Sequence, residues 1–352
     1  SLRPSWTRVM NHPLHLLYVT SFILFSGSIA GFYETEYGFT SLIRFGDAFH
    51  DQALPAVRAI PHHVIEDSTG YDGQFYAQLA VDPLLLDPSI VEALDVPTYR
   101  GRRILFSWTA FLLGLGQPRV VLQAYAIQNV ILWLVLAVLL FRWLPPLDLK
   151  SFFLRFACMF SHGVLVSVGW ALPDGPSMLL LALAVVAIER GKPAIAAGLI
   201  GVSSLAKEIN LLWSAILVRR DRLDASRWRV LGARGLFVAL PLAVWMLYLW
   251  LGHHEVGGLA GHRNFGLPLT GYVTKWVMTL DELRKAGWDS YARFSLLALV
   301  SLTTQAAVLV ISRDWNNPWW RVGMASCVLM VFLGDAVWEG HPGAMTRVLL
   351  PM

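Results

Sequence analysis

The sequence predicts an all-α integral membrane protein, a polytopic helical bundle of about nine or ten spans with a large first outer loop carrying interfacial helices. Three observations predict it. Hydrophobic residues are 56% of the 352 and charged residues only 15%, with a mean hydropathy of +0.53, whereas soluble domains carry roughly 25% charged residues. Long apolar runs recur along the chain, and the basic residues gather in short loops between them. The 15 Trp and 10 Tyr sit often near the ends of those runs, as interfacial anchors do.

The runs follow in order: residues 16–32, 120–141, 152–170, 178–188, 194–206, 211–218, 236–251, 294–311 and 322–337. The first follows Arg3 and Arg8 and reads as a span with a cytoplasmic start, since no small-residue cleavage site comes after it. Residues 104–116 are also apolar, but too few for a span of roughly 20; a re-entrant or interfacial helix fits them better. A further run begins at Val348 where the chain stops at Met352, and a truncated C-terminus is expected. The whole, 1–352, reads as one transmembrane domain with outer loops at 34–118 and 252–293. Cys158 and Cys327 lie in apolar stretches and read as small buried hydrophobes.

Charge sets the orientation. Residues 219–235 hold six arginines against two aspartates and should be cytoplasmic; residues 34–103 hold eleven acids against five arginines and should lie outside. Two threadings compete. If 104–116 spans, then 194–218 must cross once with Lys207 and Glu208 in mid-bilayer. If 104–116 only dips, the chain turns at Lys207-Glu208 on the outer side. The loops 142–150, 190–192, 219–234 and 313–321 then all fall inside, so this threading is preferred. Its consequence is that the polar clusters land on one side, as in an enzyme site at the outer interface; a transport path would spread polar groups through the membrane depth. No nucleic-acid module accompanies the net charge of +4.

The richest stretch is Gly70-Tyr71-Asp72-Gly73-Gln74-Phe75-Tyr76. Asp72-Gly73 is a turn signal, and helical spacing follows, so Asp72 reads either as an N-cap or as a general base beside the membrane. Lys207-Glu208 is a self-neutralising pair or a phosphate holder. Arg102 and Arg103 are snorkelling residues or a fork for phosphate oxygens. Asp174 sits in the turn signal Pro173-Asp174-Gly175-Pro176, with a site role as the sharper option. His341 and Arg347 lie near a span end, Arg347 as a second phosphate contact. His253, His254 and His262 match no zinc spacing, and no metal site is expected.

The order of Tyr71-Asp72-Gly73-Gln74-Phe75-Tyr76 with a following Ala80, then Arg102-Arg103-Ile104-Leu105 opening a short apolar helix, resembles bacterial members of the GT-C superfamily of polytopic membrane glycosyltransferases. The turn Arg190-Gly191-Lys192-Pro193 with a Gly-rich helix ending Leu205-Ala206-Lys207-Glu208 is similar to the same pattern, as is Thr346-Arg347. The resemblance implies a mannosyltransferase-like enzyme that takes a sugar from a polyprenyl-phosphate donor, with inversion, to a lipid or glycan acceptor on the outer face of a bacterial plasma (inner) membrane. It implies no cofactor and makes a first-outer-loop carboxylate the base: Asp72, with Glu34 and Glu36 as competitors. Gln74, Arg102, Arg103, Asp174, Lys207, Glu208, His341 and Arg347 are the expected substrate and phosphate contacts. The rival readings are a transporter or flippase component, which would favour internal repeats, and another lipid-phosphate enzyme such as a polysaccharide polymerase or ligase.

Overall fold

The computed structural model describes residues 14–218, 225–253, 255–256, 262–288, 290–339 and 342–352. The chain is mostly helical. Its order is α1 (His15–Ala30), β1 (Phe45–Gly46), α2 (Pro55–Arg58), β2 (Val64–Ile65), α3 (Gly73–Val81), α4 (Pro97–Arg100), α5 (Leu105–Leu113) and α6 (Pro118–Leu139). Then come α7 (Leu149–Met159), α8 (His162–Gly169), α9 (Asp174–Glu189), α10 (Pro193–Ser203), a 3-10 helix (Glu208–Leu217) and α11 (Ala225–Gly252). The last are α12 (Thr270–Ala286), α13 (Ala292–Ser312), α14 (Pro318–Phe332), α15 (Asp335–Trp338) and α16 (Gly343–Val348). The one sheet among the described residues is two residues long, β1 parallel to β2 with Phe45 opposite Val64.

Three stretches are helical, long and apolar enough to cross a membrane: Pro118–Arg142, Gly232–Gly252 and Ala292–Ser312. The pair α7 and α8, bent by 47°, makes a fourth if it is one broken span. The run expected at 152–170 is thus two helices meeting at Phe160-Ser161, where Ser161 takes extended backbone before α8. Large apolar side chains on α11 and α13 stay exposed, Leu236 at 76% and Ile311 at 79%. Such surface is hidden by lipid in place of protein, and a membrane location follows. Against the nine or ten spans expected, α1, α10, α14 and the 3-10 helix hold 16, 11, 15 and 10 residues, short of the roughly 20 that a simple crossing takes. Cys158 corrects another expectation: it is exposed, as are Phe153, Leu154 and Phe156 on the same helix.

Contacts divide the chain into two compact units, Ser1–Asp95 with Phe106–Leu179, and Val96–Leu105 with Leu180–Met352. In the first, α6 is the organising element. Its Gln123 accepts the Phe39 N–H and donates to Tyr37 O (2.9 and 2.8 Å). Gln128 donates to Phe106 O and accepts the Thr109 hydroxyl. Asn129 Nδ2 donates to Ser167 O and Leu172 O, both at 2.7 Å, and the Tyr125 hydroxyl to Ala171 O. One helix thereby satisfies backbone groups at several chain breaks, which must be met internally where water is scarce.

In the second unit, a core of Leu299, Leu302, Leu329, Met330, Trp338 and Met345 joins α13, α14, α15 and α16, and Ile209 of the 3-10 helix packs on it. α12 lies in the outer loop expected at 252–293, where no helix was foreseen; it packs on α13 through Tyr272, whose hydroxyl lies 2.6 Å from Thr303 Oγ1. Gly101 in the strap 96–105 accepts the indole N–H of Trp245 (2.8 Å), and Leu105 N–H donates to Leu205 O (3.0 Å).

Candidate active site

Asp72 precedes α3 with helical backbone, and its side chain makes no capping hydrogen bond. The N-cap expectation therefore does not describe it. Elsewhere the same chain caps in the ordinary way: Asp87 accepts the Ser89 N–H, and Asp148 the Ser151 N–H. What fixes Asp72 is its neighbour. A Cβ on Gly73 would come within 2.7 Å of Ile43 O and of Trp170 O, so only glycine lets the start of α3 press against the chain at Trp170-Ala171. Tyr71 adds an edge-on contact to the Trp170 ring (4.2 Å between centroids), and the Arg44 guanidinium lies 5.9 Å from that ring.

That contact brings Asp72 to the turn that leads to Asp174. Ala171 holds a left-handed φ of 45°, unusual for a residue with a Cβ. Its carbonyl takes the Tyr125 hydroxyl, and Asn129 Nδ2 donates to the next carbonyl, Leu172 O, and to Ser167 O one turn earlier. Asp174 then opens α9 with its carboxylate 1% exposed and accepting the Ser167 hydroxyl at 2.7 Å. A buried carboxylate at a helix start is stabilised by the helix dipole. Where a tight turn was expected at Pro173-Asp174-Gly175-Pro176, Asp174 is buried and begins the helix. Gln74 is likewise committed: its Oε1 accepts the Gly46 N–H and its Nε2 donates to Thr69 O. Gln78, one turn on, bonds Leu54 N–H and Ala93 O in the same way. Both amides hold the segment between α1 and α5 together.

The second unit gathers cations. Arg103 grips Glu208 as a fork, Nε to Oε2 at 2.9 Å and Nη2 to Oε1 at 3.4 Å, and Arg102 Nη1 lies 3.7 Å from Oε1. The Tyr99 ring has the guanidinium carbons of Arg103, Arg100 and Arg102 at 4.1, 5.4 and 5.7 Å from its centroid, within cation–π reach. Lys207, next to Glu208 in the chain, is 7% exposed and Arg100 5%. Arg102 and Arg103 thus meet on one carboxylate, with Arg100 at the same Tyr99 ring and Lys207 next to Glu208 in the chain. The Glu208 carboxylate beside Lys207 is held by Arg103 and Arg102. Arg347 sits on α16, its Nε donating to Gly343 O (3.2 Å). Its neighbour Val348 packs on the same core as Ile209, which places Arg347 and the start of the 3-10 helix on one scaffold.

The other candidates separate from these. Glu34 lies 3.6 Å from His63 Nε2 in a turn closed by a bridge between Glu34 and Gly38. Glu36 is exposed and raises the Tyr37 phenol's pKa through its nearby charge. His253 contacts Tyr248 Oη at 3.2 Å; His254, His341 and the side chain of His262 lie outside the described residues. Tyr99, Arg44 and Trp170 escaped the sequence reading. For Tyr99 a signal existed, an aromatic directly before Arg100-Gly101-Arg102-Arg103. For Trp170 there was none, since one Trp among 15 is not distinguished by its neighbours. Compared with family models, curated proteins and solved structures, the chain matches none.

Proposed function

We propose that this chain is a polytopic glycosyltransferase of the GT-C type, with more crossings than the three clear ones, its N-terminus cytoplasmic and its active face outside a bacterial plasma membrane. It moves a sugar from a polyprenyl-phosphate donor to a lipid or glycan hydroxyl. The observation that carries this reading is that Arg100, Arg102 and Arg103 gather at one Tyr99 ring while Arg102 and Arg103 hold Glu208, with buried Lys207 next to it in the chain. Largely buried guanidinium groups gathered at one place favour a phosphate-bearing partner, and a donor with an isoprenoid tail reaches it from the bilayer.

In the proposed reaction the Asp72 carboxylate takes the acceptor's hydroxyl proton. The acceptor oxygen forms its bond to the anomeric carbon as the bond from that carbon to the phosphate oxygen breaks. The electron pair leaves with polyprenyl phosphate, and the anomeric centre inverts.

The test is transfer by purified protein from a polyprenyl-phosphate sugar. Asp72→Asn keeps size and removes the basic oxygen, and transfer should fall roughly 10²–10⁴-fold with thermal stability unchanged. Lys207→Ala should raise KM for the donor at nearly constant kcat. A stable Asp72→Asn protein with wild-type transfer rules Asp72 out and turns attention to Glu34→Gln and Glu36→Gln.

A further inference from the structure

Away from that site, α1, α6 and α7 enclose a groove of about 370 Å³. Aromatic rings from all three elements and their ends line it, among them Phe22, Phe25, Phe141, Phe152 and Phe156. Arg155 is the single charged residue among the described residues that line it. Its side chain is nine-tenths buried, with the guanidinium carbon 3.3 Å from the Phe141 ring centroid and 5.0 Å from that of Tyr18. Nη2 donates to Ala137 O. Nε and Nη1 are buried and, among the described residues, have no hydrogen-bond partner.

A guanidinium facing hydrocarbon with two unused donors is costly unless an anion meets it. No carboxylate lines the groove. The nearest in sequence, Asp148, is spent on the N–H and hydroxyl of Ser151. Exposed Arg142 and Lys150 flank the same chain segment and add positive charge. The groove therefore joins a long apolar wall to a fixed cation, which matches a molecule with an apolar tail and an anionic phosphate.

We propose that this groove binds one anionic phospholipid, an acyl chain lying along the aromatic wall and the phosphate accepting from Arg155 Nε and Nη1. The ligand is a structural lipid of the bilayer, separate from any donor of the transfer reaction, and the inference stands whether or not that reaction is correct. A free phosphate would leave the aromatic wall uncovered.

Native mass spectrometry of the full chain, delipidated in detergent, tests this with dioleoyl phosphatidylglycerol, dioleoyl phosphatidylcholine and inorganic phosphate as probes. The wild type should retain phosphatidylglycerol about tenfold or more over phosphatidylcholine, in line with charge-assisted hydrogen bonds, and should not retain phosphate. Arg155→Leu should bind the two lipids equally. Ser21→Trp fills the groove from α1, where the Ser21 hydroxyl bonds Leu17 O, and should abolish retention of both. Equal retention of the two lipids by wild type overturns the proposal. So does an undiminished preference in Arg155→Leu, or retention of inorganic phosphate without lipid. Should Arg155→Leu fail to accumulate, Ser21→Trp decides: full phosphatidylglycerol binding by that variant refutes the groove.

Discussion

A single side chain can be read for its charge in the sequence, but its partner is a matter of folding. Glu208 shows this. Beside Lys207 it suggests a local pair, yet Arg103, more than a hundred positions earlier, holds it in a fork. The sequence carried the charges of Arg102, Arg103, Lys207 and Glu208 and was silent on the pairing, because long-range contacts leave no periodicity. His62 gives a sharper case. Burial is the main reason its imidazole sits below the ordinary value of 6.5, despite the opposing hydrogen bond from Nδ1–H to Ile60 O. Phe45 packs on it at 4.5 Å, and His50 and His63 face it. A histidine with a depressed folded pKa resists protonation that the unfolded chain accepts. The stability it contributes is therefore complete above about 6.5 and declines as pH drops through that value toward the folded pKa. His62→Phe keeps the ring and removes the proton site. Its melting temperature should vary less between pH 7 and pH 5 than the wild-type value does, the difference between the two curves isolating His62 from its histidine neighbours. Parallel curves would show that the buried ring does not titrate.

At the scale of elements, hydropathy located the strongest helices because burial in lipid needs an uninterrupted apolar run: 120–141 became α6, and 294–311 became α13. It could not see the break at Phe160-Ser161, where the sequence stays apolar while the backbone turns by 47°. Nor could it see α12, whose apolar and polar residues alternate at helical spacing and leave no continuous run. The short helix α5 was legible for a geometric reason. Its 9 residues cover roughly 14 Å at 1.5 Å per residue, about half of a hydrocarbon core near 30 Å. Its polar anchorage agrees: the Trp108 indole donates to Pro83 O, and the Ser107 hydroxyl to Tyr76 O, both in the segment between α1 and α5. We expect α5 not to cross. Glu92 and Gln117, both exposed, flank it, and Glu92→Cys and Gln117→Cys should react with an impermeant thiol reagent from the same side of sealed cells, after replacement of exposed Cys158. Labelling from opposite sides would restore α5 as a span and invert every loop after it.

For the molecule as a whole, sidedness follows from the clear spans taken with the distribution of arginine. Gly232–Gly252 joins the basic segment 219–234 to the loop that begins near His253, and Ala292–Ser312 returns the chain to Arg313. Between those two spans lies α12, with Asp281, Glu282, Arg284 and Lys285 in its last turns and exposed. Four charges within five residues cost too much in hydrocarbon for α12 to cross, so it stays on the side where it starts. The two ends of this hairpin of spans are then expected to share a side, and the arginine excess predicts that this side is cytoplasmic. Reporter insertions after residues 222 and 316 should therefore read cytoplasmic, and one after residue 258 external. The first and last insertions lie in segments whose side the arginines set, while the middle one depends only on the two spans. If the reporter at 316 reads opposite to that at 222, α12 crosses after all. If all three reverse together, the spans are right and the charge rule fails here, and the outer-face assignment of Asp72 and Lys207 fails with it.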